Sequence, residues 1–123
     1  MDFIKLDTQG TELDILKGGV KTLGNVLGIE VEVSFSEIYK YQSLFSDVSD
    51  FLREQGFEFF EFFNQYRWRR MEFKSKKGQL VFADALFLRN IEEVITLDIE
   101  KRYTFATIAK AYGKEDLIPF LNI

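Results

Sequence analysis

Asp2-Phe3-Ile4-Lys5-Leu6-Asp7-Thr8-Gln9-Gly10-Thr11-Glu12-Leu13-Asp14-Ile15-Leu16-Lys17-Gly18 is the stretch on which the reading of the fold turns. Residues 3–6 are mostly apolar and suit a strand, and Asp7-Thr8-Gln9-Gly10 is a turn sequence whose glycine frees the backbone. Thr11 and Asp14 have the spacing of a helix-capping pair. Leu13, Leu16 and Val20 repeat at helical intervals, with Gly18-Gly19 as the expected stop. Leu27-Gly28-Ile29-Glu30-Val31-Glu32-Val33 then alternates apolar with acidic residues and is rich in β-branched side chains, which predicts a second strand. Strand, helix and strand in such short order predict a parallel βαβ unit.

Working outward, Ser46 or Asp47 is placed to cap a second helix, with Val48, Phe51 and Leu52 as its buried stripe and Gly56 as its end. Residues 57–63 hold five phenylalanines and predict a third strand; residues 79–88 predict a fourth. No helical pattern separates these two, so they are expected to form an antiparallel hairpin. Residues 99–112 have helical spacing through Tyr103, Ala106, Ala109 and Ala111, followed by Gly113 and a short segment at 117–121. The expected organisation is an α/β portion over residues 1–89 and a small helical C-terminal appendage over 90–123. There is no internal repeat or low-complexity tract, and Pro119 is the one proline.

A chain of 123 residues with 46% hydrophobic and 16% aromatic content can bury one core. It has no cysteine and no histidine, so proton transfer or metal binding falls to carboxylates, lysine or tyrosine. No charged leader with an apolar run opens the chain, and no long apolar span appears, so a soluble, cytoplasmic protein without membrane contact is expected. The formal net charge of -4 argues against general affinity for nucleic acid. Residues 66–77 run the other way, with Arg67, Arg69, Arg70, Lys74, Lys76 and Lys77 against Glu72.

Ligands of open parallel sheets bind beyond the carboxyl ends of the strands, and Asp7 and Glu32 end the first two. Alternation puts Lys5 and Asp7 on one face of the first strand, and Glu30 and Glu32 on one face of the second. If these faces coincide, either Asp7 or Glu32 is placed to act as a general base on a substrate hydroxyl, or both to hold a divalent cation. The competing reading is an ion pair between Lys5 and the glutamates, with Glu30 purely structural. Glu12 sits in a first helical turn, where the helix dipole favours a carboxylate whether or not it meets substrate. The run Tyr66-Arg67-Trp68-Arg69-Arg70 mixes cations and rings; it reads as a solvated hairpin loop, as a dock for a sugar or anionic substrate through Arg67 and Trp68, or as a single-strand nucleic-acid surface. The phenylalanines are assigned to packing.

The opening stretch from Asp2 to Gly18 resembles the signature of the FkbM-type methyltransferases. Gly28-Ile29-Glu30-Val31-Glu32-Val33, Leu44-Phe45-Ser46-Asp47-Val48 and Gly56-Phe57-Glu58 are similar to that family in order and spacing. The resemblance implies a Rossmann-like, seven-stranded methyltransferase sheet, of which this chain holds the last four strands as a parallel pair plus an antiparallel hairpin. It implies S-adenosylmethionine as cofactor and a sugar or natural-product hydroxyl as acceptor. Asp7 and Glu32 then stand as catalytic residues, Thr8 and Gln9 beside the cofactor, and Glu12, Arg67 and Trp68 toward the acceptor; no metal site is assigned. The family's glycine-rich first half, which holds the methyl donor, is expected to be missing, so that the isolated chain is inactive. The first strand is then expected to expose an edge open to a second copy or to a missing segment. A non-catalytic interaction or nucleic-acid-binding module using residues 66–77 is the alternative.

Overall fold

A computed structural model describes residues 1–8, 10–37, 40, 42–68 and 78–123. Its centre is a mixed four-stranded sheet in the order β1-β2-β4-β3. Strand β1 (Phe3–Leu6) pairs in parallel with β2 (Gly28–Ser34), through helices α1 (Glu12–Gly18) and α2 (Val20–Leu23). Strands β3 (Phe57–Trp68) and β4 (Gln79–Arg89) form the expected antiparallel hairpin, and β4 inserts between β2 and β3. The α/β class, the parallel pair and the hairpin all follow the sequence pattern; β3 continues five residues beyond the expected 57–63.

Local details differ where side chains compete for the backbone. Thr11 precedes α1 but makes no capping bond; its hydroxyl donates instead to Thr8 Oγ1 at 2.9 Å, so the expected Thr11–Asp14 pair does not form. The chain breaks at Gly19 and restarts as α2, which turns the apolar stripe so that Leu23 is buried and Val20 faces solvent. Helix α3 (Phe45–Glu54) begins at Phe45, one residue before the expected cap Ser46 and two before Asp47. Asp47 lies in its first turn and accepts the Leu44 N–H at 2.9 Å, while Gly56 closes the helix end with φ of +90°.

Two cores flank the sheet. On one face Ile29, Val31, Val33, Ala85 and Phe87 pack with Leu13 and Leu16 of α1 and Val48 and Leu52 of α3. On the other, Leu86 and Leu88 pack with Leu27, Val94, Phe105 and Leu121. The last three come from the C-terminal segment, made of α4 (Ile91–Val94), α5 (Ile99–Ala111) and a 3-10 turn (Glu115–Phe120). This segment is therefore the second helical layer of the sheet and shares its core. Along α5 the buried positions are Phe105 and Ala109, whereas Tyr103 of the expected stripe is exposed. Asp98 caps α5 by accepting the Lys101 N–H at 2.9 Å.

Arg89, at the end of β4, locks the pole of the sheet opposite the carboxyl ends of β1 and β2. Its buried guanidinium donates to the carbonyls of Val26 at 2.7 Å, Leu23 and Gln55, pairs with Glu93 at 2.9 Å, and lies over the Phe57 ring. A cavity of about 310 Å³ adjoins it, lined by Leu27, Glu93 and Lys101 among others. Most of the donors on Arg89 are spent on carbonyls and Glu93, so it ties loops together.

Candidate active site

The register of the strands brings the predicted charges to one face. Lys5 lies opposite Glu30 across the β1–β2 pair, and Glu32 lies opposite Asp84 across β2–β4. Lys5 Nζ pairs with Glu30 Oε2 at 3.2 Å, and Tyr112 donates to Glu30 Oε1 at 3.0 Å. Glu30 is buried and has a partner on each oxygen, the structural role expected of it. Glu32 takes the other course. Its carboxyl is pushed up to about 7, first by burial, then by its hydrogen bond with Asp7, and then by the charges of Asp7, Glu12 and Asp84. The register brings Asp7 alongside Glu32, because Leu6 pairs with Val31 and Asp7 is the next residue of the chain. The pair stands where β1 and β2 end, half-buried on the Glu32 side and open to solvent on the Asp7 side.

The loop after β1 is shaped by Glu12. This residue is buried, and one carboxylate oxygen accepts the Thr8 N–H at 2.6 Å and the Thr8 hydroxyl at 2.9 Å. The other oxygen accepts the Gly10 N–H at 2.9 Å. Glu12 thus reaches back from the first helical turn and holds Thr8 and Gly10 against the helix entrance. Gly10, at φ +115°, supplies the conformation that lets the chain bend there. Thr8 uses both its polar hydrogens on this purpose, and Gln9 lies outside the described residues.

Arg67 and Trp68 are placed apart from this cluster. They pair with Leu80 and Gln79, four to five residues along β4 from Asp84, or about 13 Å or more at strand spacing. Arg67 donates to the Gly78 carbonyl at 3.2 Å and to Gln65 at 2.9 Å, and Trp68 is about half exposed. The rest of the basic run, residues 69–77, lies outside the described residues. Three contributors carried no signal in the chain's local pattern. Asp84 is an acidic residue inside an apolar strand, and its place beside Glu32 depends on the hairpin register. Asn64 sits at an irregularity of β3 with φ of +50° and donates to Asp84 at 2.8 Å. Tyr112 closes the lower side of the cluster by stacking on Phe3 and tilting against Phe63.

One carboxyl titrating close to neutrality beside a second one is the arrangement suited to take up a proton from a weakly acidic hydroxyl. Among the described residues no three acidic side chains are grouped as ligands of a metal ion. Among them, too, no helix is long and apolar enough to cross a membrane.

Residues 1–59 match the family model described as the Methyltransferase FkbM domain. The matched part runs from β1 into the start of β3, and so contains Asp7, Thr8, Gln9, Glu12 and Glu32 but neither Asp84 nor the hairpin tip. No curated protein and no solved structure gives a match.

Proposed function

We propose that this chain, whose first 59 residues match the FkbM methyltransferase domain, forms the acceptor side of an S-adenosylmethionine-dependent O-methyltransferase. The observation that carries this reading is the juxtaposition of Asp7 and the raised carboxyl of Glu32 at the carboxyl ends of two parallel strands. The strand order supports it, since a parallel pair followed by an antiparallel hairpin is the end expected of a Rossmann-like methyltransferase sheet. When bound, S-adenosylmethionine supplies a methyl group activated by a sulfonium. Glu32, with Asp7 beside it, would take the proton of an acceptor hydroxyl held on this face. Burial keeps Glu32 near the pH at which it can both take and release the proton. Glu12 acts at one remove: it fixes Thr8, beside which the reactive end of the cofactor would lie. Arg67 and Trp68 are assigned to the outer part of a sugar or natural-product acceptor.

In this reading the adenosine of the donor is held by residues outside the 123, and the chain alone does not turn over. Calorimetry with S-adenosylmethionine tests that part: one-to-one binding at micromolar affinity would refute it. In a donor-competent preparation, Asp7→Asn with Glu32→Gln lowers kcat by roughly 10²–10⁴-fold without weakening donor binding. An unchanged kcat would remove the acceptor-base assignment.

The sheet edges support the same division of labour. The outer strand β3 carries three register irregularities and the left-handed Asn64, devices that spoil pairing with another strand. On the opposite side, β1 pairs with β2 in unbroken register and has no such guard apart from Lys5. We assign the β1 edge to a strand of the donor-binding unit. Size-exclusion chromatography with light scattering checks it: a monomer that stays unaggregated at high concentration counts against an open edge.

A further inference from the structure

Next to the carboxylate pair, the open part of the charged face carries groups that proton transfer does not use. Asp84 lies across from Glu32, and its Oδ2 accepts the 2.8 Å bond from Asn64 Nδ2. Two residues along the same strand, about 7 Å away, Phe82 is stacked on Tyr66 with ring centroids 4.8 Å apart and planes 10° apart. Tyr66 and Phe82 are register partners, so rings and carboxylates follow one another along one sheet face, beside the buried Ser34, whose hydroxyl accepts from Gln42 at 2.7 Å. The Tyr66 ring is 50% exposed. The C-terminal layer stops short of this row: Tyr112 reaches Glu30 and Phe63.

The chemistry of these neighbours selects a ligand. An aromatic face attracts a flat apolar surface, while Asp84 accepts hydrogen bonds and Asn64 can accept through the other atom of its amide. Asp7, Glu32 and Asp84 repel anions, and Arg67, the nearest described cation along β3, is engaged with Gly78 and Gln65. An uncharged ring with C–H groups on one face and hydroxyls around its rim satisfies both sets of groups. A phosphorylated ring or nucleotide does not.

We propose that Tyr66, Phe82, Asn64 and Asp84 form a subsite for one uncharged sugar ring, stacked on the aromatic pair with neighbouring hydroxyls bonded to Asp84 and Asn64. Its place rests on the methyltransferase reading, because a ring seated there extends toward Asp7 and Glu32. Its existence as a binding site does not. Two of these residues specify the ring by stacking and two by hydrogen bonds, and none of them moves the proton.

Saturation-transfer NMR on the whole chain tests the subsite, with methyl glucoside, methyl galactoside and methyl mannoside as probes and glucose 6-phosphate as the charged control. The expected result is transfer to ring C–H protons of at least one glycoside, with weaker transfer to the phosphate. Tyr66→Ala lowers that affinity roughly tenfold. Asn64→Gly, which tolerates the left-handed backbone and removes only the amide, lowers it roughly threefold to tenfold. Amide spectra of both variants report that the sheet is retained. No transfer to any glycoside, equal binding by both variants, or preference for glucose 6-phosphate would each overturn the subsite. In a donor-competent preparation Asp7→Asn separates the two ideas: glycoside binding that survives the loss of methyl transfer supports the subsite by itself. Methyl transfer to a non-sugar acceptor, with no glycoside bound, leaves the transferase standing and removes the subsite.

Discussion

On β2, Ile29, Val31 and Val33 point to one side of the sheet and Glu30 and Glu32 to the other, and the two sides then diverge in how they are stabilised. The apolar side is closed by α1 and α3, and nearly every residue there is buried. The charged side is covered over its lower half by a C-terminal layer clasped to the sheet end through polar groups. Lys101 pairs with Asp2, Tyr112 with Glu30, and Lys114 with Glu61. Its upper half carries the half-buried Glu32 and Asp84 and the exposed Asn64. The difference teaches where this fold can carry a site. A carboxylate held near neutrality is a stability cost, and it is tolerated on the face that does not supply the principal core.

The largest expected effect lies on the apolar side. Phe87 is buried under Phe45 and Phe59, so Phe87→Ala removes ring contacts and leaves a cavity, lowering unfolding stability by about 3–5 kcal/mol in urea titration. Asp84→Asn on the open face should cost under about 1 kcal/mol in the same titration. Comparable losses would erase the contrast between the faces.

Phe105→Ala comes next and tests the lower half of the charged side. A C-terminal layer that shares the core loses about 3 kcal/mol and remains part of one cooperative transition. A two-step melt with an unchanged main transition would show an independent appendage instead.

Smaller effects follow protonation. The Glu32 carboxyl rises from its ordinary 4.5 to about 7 on folding, so between those pH values the folded protein holds a proton that the unfolded chain has released. Stability is therefore lost as pH rises through this window. Solvent screening of the half-buried pair keeps the loss near ~1 kcal/mol. Glu32→Gln should flatten that part of the stability profile; a wild-type profile that climbs from pH 5 to 7 as steeply as the variant's would contradict the raised Glu32 carboxyl.

The least effect is expected of Tyr112→Phe. Burial, and then the bond to Glu30, push the Tyr112 phenol up to about 12. Its loss costs about 0.5–1.5 kcal/mol, and ultraviolet titration should lose the phenol that ionises near about 12. A titration unchanged by the substitution would mean that the ring does not hold Glu30 in solution.

Much of this was legible along the chain. Alternation in residues 27–33 separates the faces of β2, and the strand-end positions of Asp7 and Glu32 single them out before any contact is known. Glu12 was visible as a first-turn carboxylate, but its reach to Thr8 and Gly10 was not, because a capping pattern written for Thr11 and Asp14 competes with it locally. The helical spacing through Tyr103, Ala106, Ala109 and Ala111 located α5, in which Ala109 is buried and Tyr103 exposed.

By itself, then, the order of residues determined the elements, the parallel pair, the hairpin and the two acidic strand ends, all of which depend on periodicity and short-range turn chemistry. The pairing of β4 with β2, which sets Asp84 beside Glu32, and the folding of the C-terminal layer onto Glu30 were decided only in three dimensions. Both join residues more than 50 positions apart. No local pattern encodes such a meeting; it arises because the apolar faces of Leu86, Leu88 and Phe105 must leave water together, and the charged groups beside them are carried into place.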